Sequence, residues 1–225
     1  MGSAGMPRTY AIGDIHGCRD KLERLVARCR SDAKDDAATF VFLGDFIDRG
    51  PDSRGVVEYL IDFQTHRPGR AICLCGNHED LALSAIDDPG QIDQWVVYNG
   101  GDKALRSYGV ASPSELPRDH VAWLRALPTH HDDGRRFFVH AGVNPSRPLD
   151  RQDRHDLLWI REPFLSDMRD YGRFIVHGHT PLRDGRPDLR TNRVNLDTAA
   201  VLGGPLTAGI FDDSTPRPIG FLQEK

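Results

Sequence analysis

Between Phe40 and Glu79 two short apolar runs, Phe40-Val41-Phe42-Leu43 and Ala71-Ile72-Cys73-Leu74-Cys75, are each followed at once by glycine and then by polar or charged side chains. Glycine-bounded runs of this length, rich in Val, Ile and Phe, read as buried strands. Between them Ser53 to Phe63 places Val56, Val57, Leu60 and Ile61 on one face, the spacing of an amphipathic helix. Strand, helix, strand predicts a βαβ unit whose sheet is covered by helices. Each strand then ends in a loop where a rigid sheet can present reactive groups. The first loop reads Gly44-Asp45-Phe46-Ile47-Asp48-Arg49-Gly50, the second Gly76-Asn77-His78-Glu79. Asp45 is the candidate for the centre of a site, because its two carboxylate oxygens can bridge two cations.

The same arrangement recurs along the chain. Thr9 to Ile12 reads as a strand running into Gly13-Asp14-Ile15-His16-Gly17. Leu22, Leu25, Val26 and Cys29 behind it fall at helical spacing, and Ser31 to Asp36 reads as a polar turn. Helix is expected from Glu79 to Ile86, with a break at Asp87-Asp88-Pro89-Gly90 and a resumption near Gln91. Asn99-Gly100-Gly101 signals a turn, and Leu116 to Leu127 another helix. Asp132-Asp133-Gly134 predicts a hairpin between Thr129–His131 and Arg135–Val139, and that second strand delivers His140. Arg173 to Val176 delivers His177-Gly178-His179. Three further strands are expected at Arg193–Asp197, Leu206–Phe211 and Pro218–Leu222, giving a second, more antiparallel set after the βαβ half.

A chain of 225 residues suffices for one sizeable core. The expected organisation is one catalytic domain over residues 9–225, preceded by a disordered or cloning-derived stretch at 1–8. With 29 basic and 33 acidic residues the net charge is −4, so no bulk field favours nucleic acid. No apolar run approaches the ~18 residues that suggest a membrane span, and Met1 to Met6 lacks the features of a signal peptide. Cys18, Cys29, Cys73 and Cys75 make no disulfide framework in a chain this size, which points to a reduced, cytoplasmic protein. Cys73 and Cys75, two apart on one strand, should pack on the same face.

Five strand ends therefore deliver Asp14 and His16; Asp45, Asp48 and Arg49; Asn77 and His78; His140; and His179. One such end is an ordinary polar turn, whereas five with glycine beside Asp, Asn or His form a constellation. Mixed nitrogen and oxygen donors suit Mn, Fe or Zn better than Mg or Ca. Two ions ~3.5–4 Å apart can clamp the attacking and leaving oxygens of a phosphoryl transfer. His66, His120, His130, His131 and His155 carry no such context and are expected to be solvated or packed.

Gly-Asp-Ile-His-Gly, Gly-Asp-Phe-Ile-Asp-Arg-Gly, Gly-Asn-His-Glu, His-Ala-Gly and Gly-His-Thr, in this order, resemble the phosphoprotein phosphatase branch of the calcineurin-like metallophosphoesterases, and its small bacterial and phage members in particular. The resemblance runs from about Thr9 to the C-terminus and includes Trp95–Gly101 and Leu157–Arg161. It implies an α/β fold of two packed, mixed β-sheets flanked by helices, with two divalent metals at the strand ends. By that resemblance Asp14, His16 and Asp45 hold one metal, and Asp45, Asn77, His140 and His179 the other. His78 is the general acid, paired with Asp48, while Arg49 and Arg161 grip the phosphoryl oxygens. His78 is poorly placed to reach the metal held by its neighbour Asn77, which agrees with the acid role. Two divalent ions, two carboxylates and a bridging hydroxide leave about +1, raised to about +3 by the arginines, enough to attract a phosphate dianion. His177 is expected beside the ligands without touching the metals. Asp197-Thr198-Ala199-Ala200 carries alanine where the resemblance favours glycine.

The implied activity is hydrolysis of phosphoserine or phosphothreonine in proteins, by direct attack of metal-bound hydroxide. The alternative is hydrolysis of dinucleoside polyphosphates such as diadenosine tetraphosphate on the same scaffold. Those enzymes resemble one another in alanine before the arginine and aspartate after Asn-His, where this chain has Asp48 and Glu79. A catalytically dead phosphopeptide-binding module would be expected to lack a ligand, the acid or an arginine, and none is missing.

Overall fold

The computed structural model describes residues 7–33 and 37–225. The elements follow in the order β1 (Thr9–Ile12), α1 (Arg19–Ala33), β2 (Thr39–Phe42), α2 (Ser53–His66), β3 (Ala71–Cys73), α3 (Asn77–Asp87), α4 (Ile92–Val96), α5 (Gly101–Tyr108), α6 (Arg118–Ala126), β4 (His130–Asp132), β5 (Arg136–Val139), α7 (Arg154–Trp159), β6 (Phe174–His177), β7 (Asp188–Leu189), β8 (Arg193–Asn195), β9 (Leu206–Asp212) and β10 (Thr215–Glu224). Met1 to Met6 and residues 34–36 lie outside the described residues, while Ser31 to Ala33, expected to open a polar turn, are instead the last residues of α1. Arg8 is tied down: its carbonyl accepts from the Thr39 N–H at 2.9 Å and its guanidinium pairs with Asp32.

The strands form two five-stranded sheets, ordered β10-β9-β1-β2-β3 and β4-β5-β6-β8-β7. Within the first, β1, β2 and β3 are parallel and β9 and β10 antiparallel; within the second, β5, β6 and β8 are parallel and β4 and β7 antiparallel. This corrects the expectation that the late strands form a second, more antiparallel set. β9 returns to pair with β1, so the C-terminal hairpin completes the first sheet. Strand periodicity reports which faces are buried and carries no information about distant partners.

The period-2 pattern is met on both faces of each central strand. Ala11, Val41, Phe138, Val176, Val194 and Phe211 point into the layer between the sheets. Tyr10, Ile12, Phe40, Phe42 and Cys73 point the other way, under α1 and α2, in a cluster that also holds Cys75 as expected. Phe137, Val139 and Ile175 meet Leu157, Ile160 and Phe164 behind the second sheet. Helix α1 buries Leu22, Leu25, Val26 and Cys29. In α2 Asp52 caps the first turn by accepting from Gly55 N, and Phe63 is buried deeper than Ile61, which stays half-buried.

Two further stretches differ from the sequence reading. Asn77 and His78 belong to the first turn of α3, not to a loop before it, because the Glu79 carboxylate reaches back to the Gly76 N–H at 2.9 Å and starts the helix two residues early. Helix α5 follows directly from the turn at Gly100, which takes a left-handed φ of 83°. The parallel strands of both sheets end on the same side, so the carboxyl ends of β1, β2, β3, β5, β6 and β8 converge there, the position at which open α/β sheets carry their sites.

Candidate metal centre

Asp45 lies where the sheets meet. Its Oδ2 is 3.4 Å from His16 Nε2 and 3.9 Å from His78 Nε2, while Oδ1 is 3.4 Å from His140 Nε2. His140 Nε2 and His179 Nδ1 each lie 2.9 Å from Asn77 Oδ1. Two groups of potential ligands thus share Asp45: His16, Asp45 and His78 on one side, Asp45, His140 and His179 on the other. Asp14 stands outside both groups, its oxygens accepting from the His179 N–H at 3.1 and 3.2 Å. All eight of these side chains are buried, with Asp48 among them, while Arg49 and Arg161 are exposed.

The imidazoles are aimed by backbone carbonyls. His16 Nδ1 bonds Ile47 O at 2.8 Å and His140 Nδ1 bonds Leu43 O at 2.9 Å, which leaves each Nε2 turned toward Asp45. A carbonyl on the far nitrogen is the usual device for orienting a metal-binding histidine. Burial pushes His16 and His179 down to about 3 and lowers His140 as well, so all three are neutral and have a lone pair to offer. Burial acts to raise Asp45, but its imidazole neighbours outweigh it, and with His16, His140 and His179 neutral the charge that holds the carboxyl low is that of His78. Burial also lowers His78, but Asp45 and the Asp48 hydrogen bond more than compensate and raise it.

Asp48 and His78 form a separate pair. His78 Nδ1 is 2.6 Å from Asp48 Oδ2, and the indole Nε1 of Trp95 donates to that same oxygen at 2.8 Å. His78 Nε2 and Asp48 Oδ1 are buried without a hydrogen-bond partner. Arg49 Nη1 donates to His16 Nε2 at 2.9 Å. Arg161 lies close enough to His179 to add its charge to the burial that keeps this imidazole neutral.

The donor set fits divalent cations. Asp14, Asp45 and Asp197 are buried together, and burial with the neighbouring carboxylates pushes Asp14 up and Asp197 to about 6. Burying several carboxylates beside neutral imidazoles is costly unless a cation balances them. No cysteine joins either group among the described residues, and all four are free thiols.

The structure brings together Asp14, His16, Asp45, Asp48, Asn77, His78, His140 and His179 from five strand ends. His177 departs from its expected orientation. Residues two apart on a strand share a face, but the strand stops at His177 and His179 takes a φ of 66°. His177 therefore lies behind the second sheet, its ring 5.0 Å from Phe164 and its Nε2 3.3 Å from Arg193 Nη1. His120 is packed, bonded to Tyr108 at 2.9 Å. Sequence reasoning missed Asp197, which hydrogen-bonds Asp14, and the polar role of Trp95. Asp197 follows a strand as the other carboxylates do, but it has no glycine beside it, the signal that marked the other strand ends.

Comparison with known proteins agrees with this geometry. The chain is 33% identical over 213 residues to the serine/threonine-protein phosphatase 1 of Salmonella typhimurium, covering 88% of this chain and 89% of that protein. It is 26% identical over 245 residues to the asymmetrical bis(5'-nucleosyl)-tetraphosphatase PrpE of Bacillus thuringiensis, covering 95% and 96%. A solved structure provisionally described as a diadenosine tetraphosphatase superposes with a TM-score of 0.73 at 24% identity, over 98% of this chain and 95% of that one, and so shares the fold. The family model for calcineurin-like phosphoesterases matches residues 7–205, and the chain belongs to that family.

Proposed function

We propose that this protein is a dinuclear metal-dependent phosphomonoesterase acting on phosphoserine and phosphothreonine in proteins. The observation that carries the reading is the buried Asp48–His78 pair, with Nδ1 held at 2.6 Å and Nε2 unpartnered beside Asp45. An alkyl alkoxide is a poor leaving group, and a positioned imidazole with one nitrogen free is suited to protonating it.

Calcineurin-like phosphoesterases use divalent metals. Asp14, His16 and Asp45 would hold one ion, and Asp45, Asn77, His140 and His179 the other, with Mn favoured and Fe or Zn admissible. Bound there, the ions would supply Lewis acidity toward a phosphoryl oxygen and the incoming water. Arg49 and Arg161 bind the outer phosphoryl oxygens, since a guanidinium fork meets two oxygens at once and stays charged. Asp48 keeps the Nδ1 hydrogen of His78 engaged, so Nε2 gives a proton to the departing oxygen. Water attacks directly, phosphorus inverts, and no phosphoenzyme forms. Residues 9–225 act as one catalytic domain in this reading, because the first sheet supplies Asp14, His16, Asp45 and Asn77 and the second His140 and His179. The four free thiols fit a reducing cytoplasmic setting.

A second reading, hydrolysis of dinucleoside polyphosphates, is favoured by the similarity to PrpE along 95% of the chain. Asp48 and Glu79 speak for the first. Turnover of a phosphoserine peptide, diadenosine tetraphosphate and p-nitrophenyl phosphate by Mn-loaded protein separates the two. Efficient use of the peptide and the aryl ester with little use of the dinucleotide is expected. Preference for the dinucleotide would move the assignment to the second reading, and full activity after exhaustive chelation would defeat both.

A further inference from the structure

We propose that Trp95 is a positioning residue for the acid pair, fixing Asp48 so that His78 keeps its unpartnered nitrogen turned into the site. The proposal rests on the reading of His78 as the acid. Trp95 lies in α4 and is fully buried. Its Nε1 donates to Asp48 Oδ2 at 2.8 Å, the oxygen that also meets His78 Nδ1, while Oδ1 has no partner. An indole N–H can only donate. An oxygen already accepting from it is therefore best completed by a second donor, so Nδ1 brings the hydrogen and Nε2 is the nitrogen left to face Asp45. Turning the carboxylate so that no oxygen occupies this position would break both bonds at once.

Trp95 is itself held in place. A side chain at Gly101 would run into the indole, with Cε2 and Nε1 2.6 and 2.8 Å from the added carbon. One residue earlier, the Gly100 carbonyl accepts from the Arg49 N–H at 3.2 Å. The turn from Trp95 to Gly101 thus reaches both members of the Asp48-Arg49 pair, whose backbones take φ values of 72° and 64°. A tryptophan serving only to fill the core has no need of this donor geometry, and that difference is what the test exploits.

Trp95→Phe removes the N–H and keeps an aromatic ring. Replacing Trp95 by benzothienylalanine keeps the bicyclic shape and deletes only the donor, which covers a failure of the phenylalanine variant to fold. On the full chain loaded with Mn, kcat/KM is measured for a phosphoserine peptide and for p-nitrophenyl phosphate. The wild type, each Trp95 variant, His78→Asn and the double variants are compared, with metal content determined for each. The Trp95 variants should lose about ten-fold on the peptide and less than about three-fold on the aryl ester, with metal content unchanged. Added to His78→Asn, they should cost nothing further, because residues acting through one group are not additive. Equal losses on both esters, a full additional loss in the His78→Asn background, or wild-type kinetics in the benzothienylalanine protein would each overturn the proposal. Should His78→Asn fail to separate the two esters, the acid reading falls and takes the proposal with it. A leaving-group effect at His78 without one at Trp95 removes the proposal alone.

Discussion

Left-handed backbone is concentrated at the candidate site. Among the described residues six other than glycine have positive φ, and His16, Asp45, Asp48, Arg49 and His179 are five of them. Each such residue costs roughly 1–2 kcal/mol, so the surrounding contacts must over-determine these turns. The sixth, Ala199 at φ 58°, follows Asp197, whose Oδ1 accepts the Ala199 N–H at 3.0 Å. Glycine would relieve this strain at the cost of a looser unfolded chain. Ala199→Gly should therefore stabilise by roughly 0.5–1 kcal/mol, about 2–4 °C in Tm per kcal/mol, and a lower Tm would show that the buried methyl outweighs the strain. Arg49→Ala and Arg161→Ala test the phosphate grip. Each should lower kcat/KM by roughly 10²–10³, by analogy with loss of an oxyanion donor, while metal content is retained. Unchanged kinetics in Arg161→Ala would remove that residue from the site.

At the scale of elements, the loop after β2 is carried by the helix after β3. Glu79 in α3 is fully buried, and its oxygens accept from Asp45 N at 2.8 Å, Gly76 N at 2.9 Å, Phe46 N at 2.8 Å and Ile47 N at 3.3 Å. Burial and the charge of Asp45 push Glu79 up to about 7, against the pull of the Gly76 and Phe46 N–H groups. Gly76 must be glycine here, since a side chain would run into Asp45. Glu79→Gln replaces an acceptor oxygen by an NH2 group facing two backbone donors. It should cost roughly 2–4 kcal/mol in urea unfolding with m unchanged, and lower Mn content through Asp45. Retention of both stability and metal would mean that the loop holds itself. The strands and their terminal glycines, Asp, Asn and His were legible in the sequence because period-2 burial and turn chemistry are local. The four-donor cradle at Glu79, the indole of Trp95 on Asp48 and the return of β9 to β1 were not, because each joins residues brought together only by the finished fold. His177 was misread for a related reason, as strand alternation was carried past the residue at which the strand ends.

In the whole molecule the site is a seam. Asp14, His16, Asp45 and Asn77 come from the first sheet and the turn of helix beyond it, His140 and His179 from the second. Below them the sheets are joined by apolar packing through Leu43, Leu74, Phe138, Val176 and Leu196. At the seam the contacts are polar, and buried carboxylates face neutral imidazoles. Ions held by both sets of ligands would therefore cross-link the sheets as well as serve chemistry. Since such ions bind the folded chain and not the unfolded one, Mn at about 100 times its Kd should stabilise by about 2.7 kcal/mol for each site filled, or roughly 5–10 °C in Tm per site. The effect should be reversed by chelation and lost in Asp45→Asn, which removes the carboxylate common to both groups. Hydrogen exchange locates it: the amides of His16, which bonds Asp45 O at 2.8 Å, and of Gly178, which bonds His140 O at 2.8 Å, should gain protection with Mn. Amides of the β9–β10 hairpin, in the first sheet on the far side of β1 from β2 and β3, should change least. Protection rising equally everywhere would mean that the metal stabilises the fold only globally. A Tm indifferent to chelation, in protein shown to have lost its metal, would mean that the sheets are held together by the apolar layer alone.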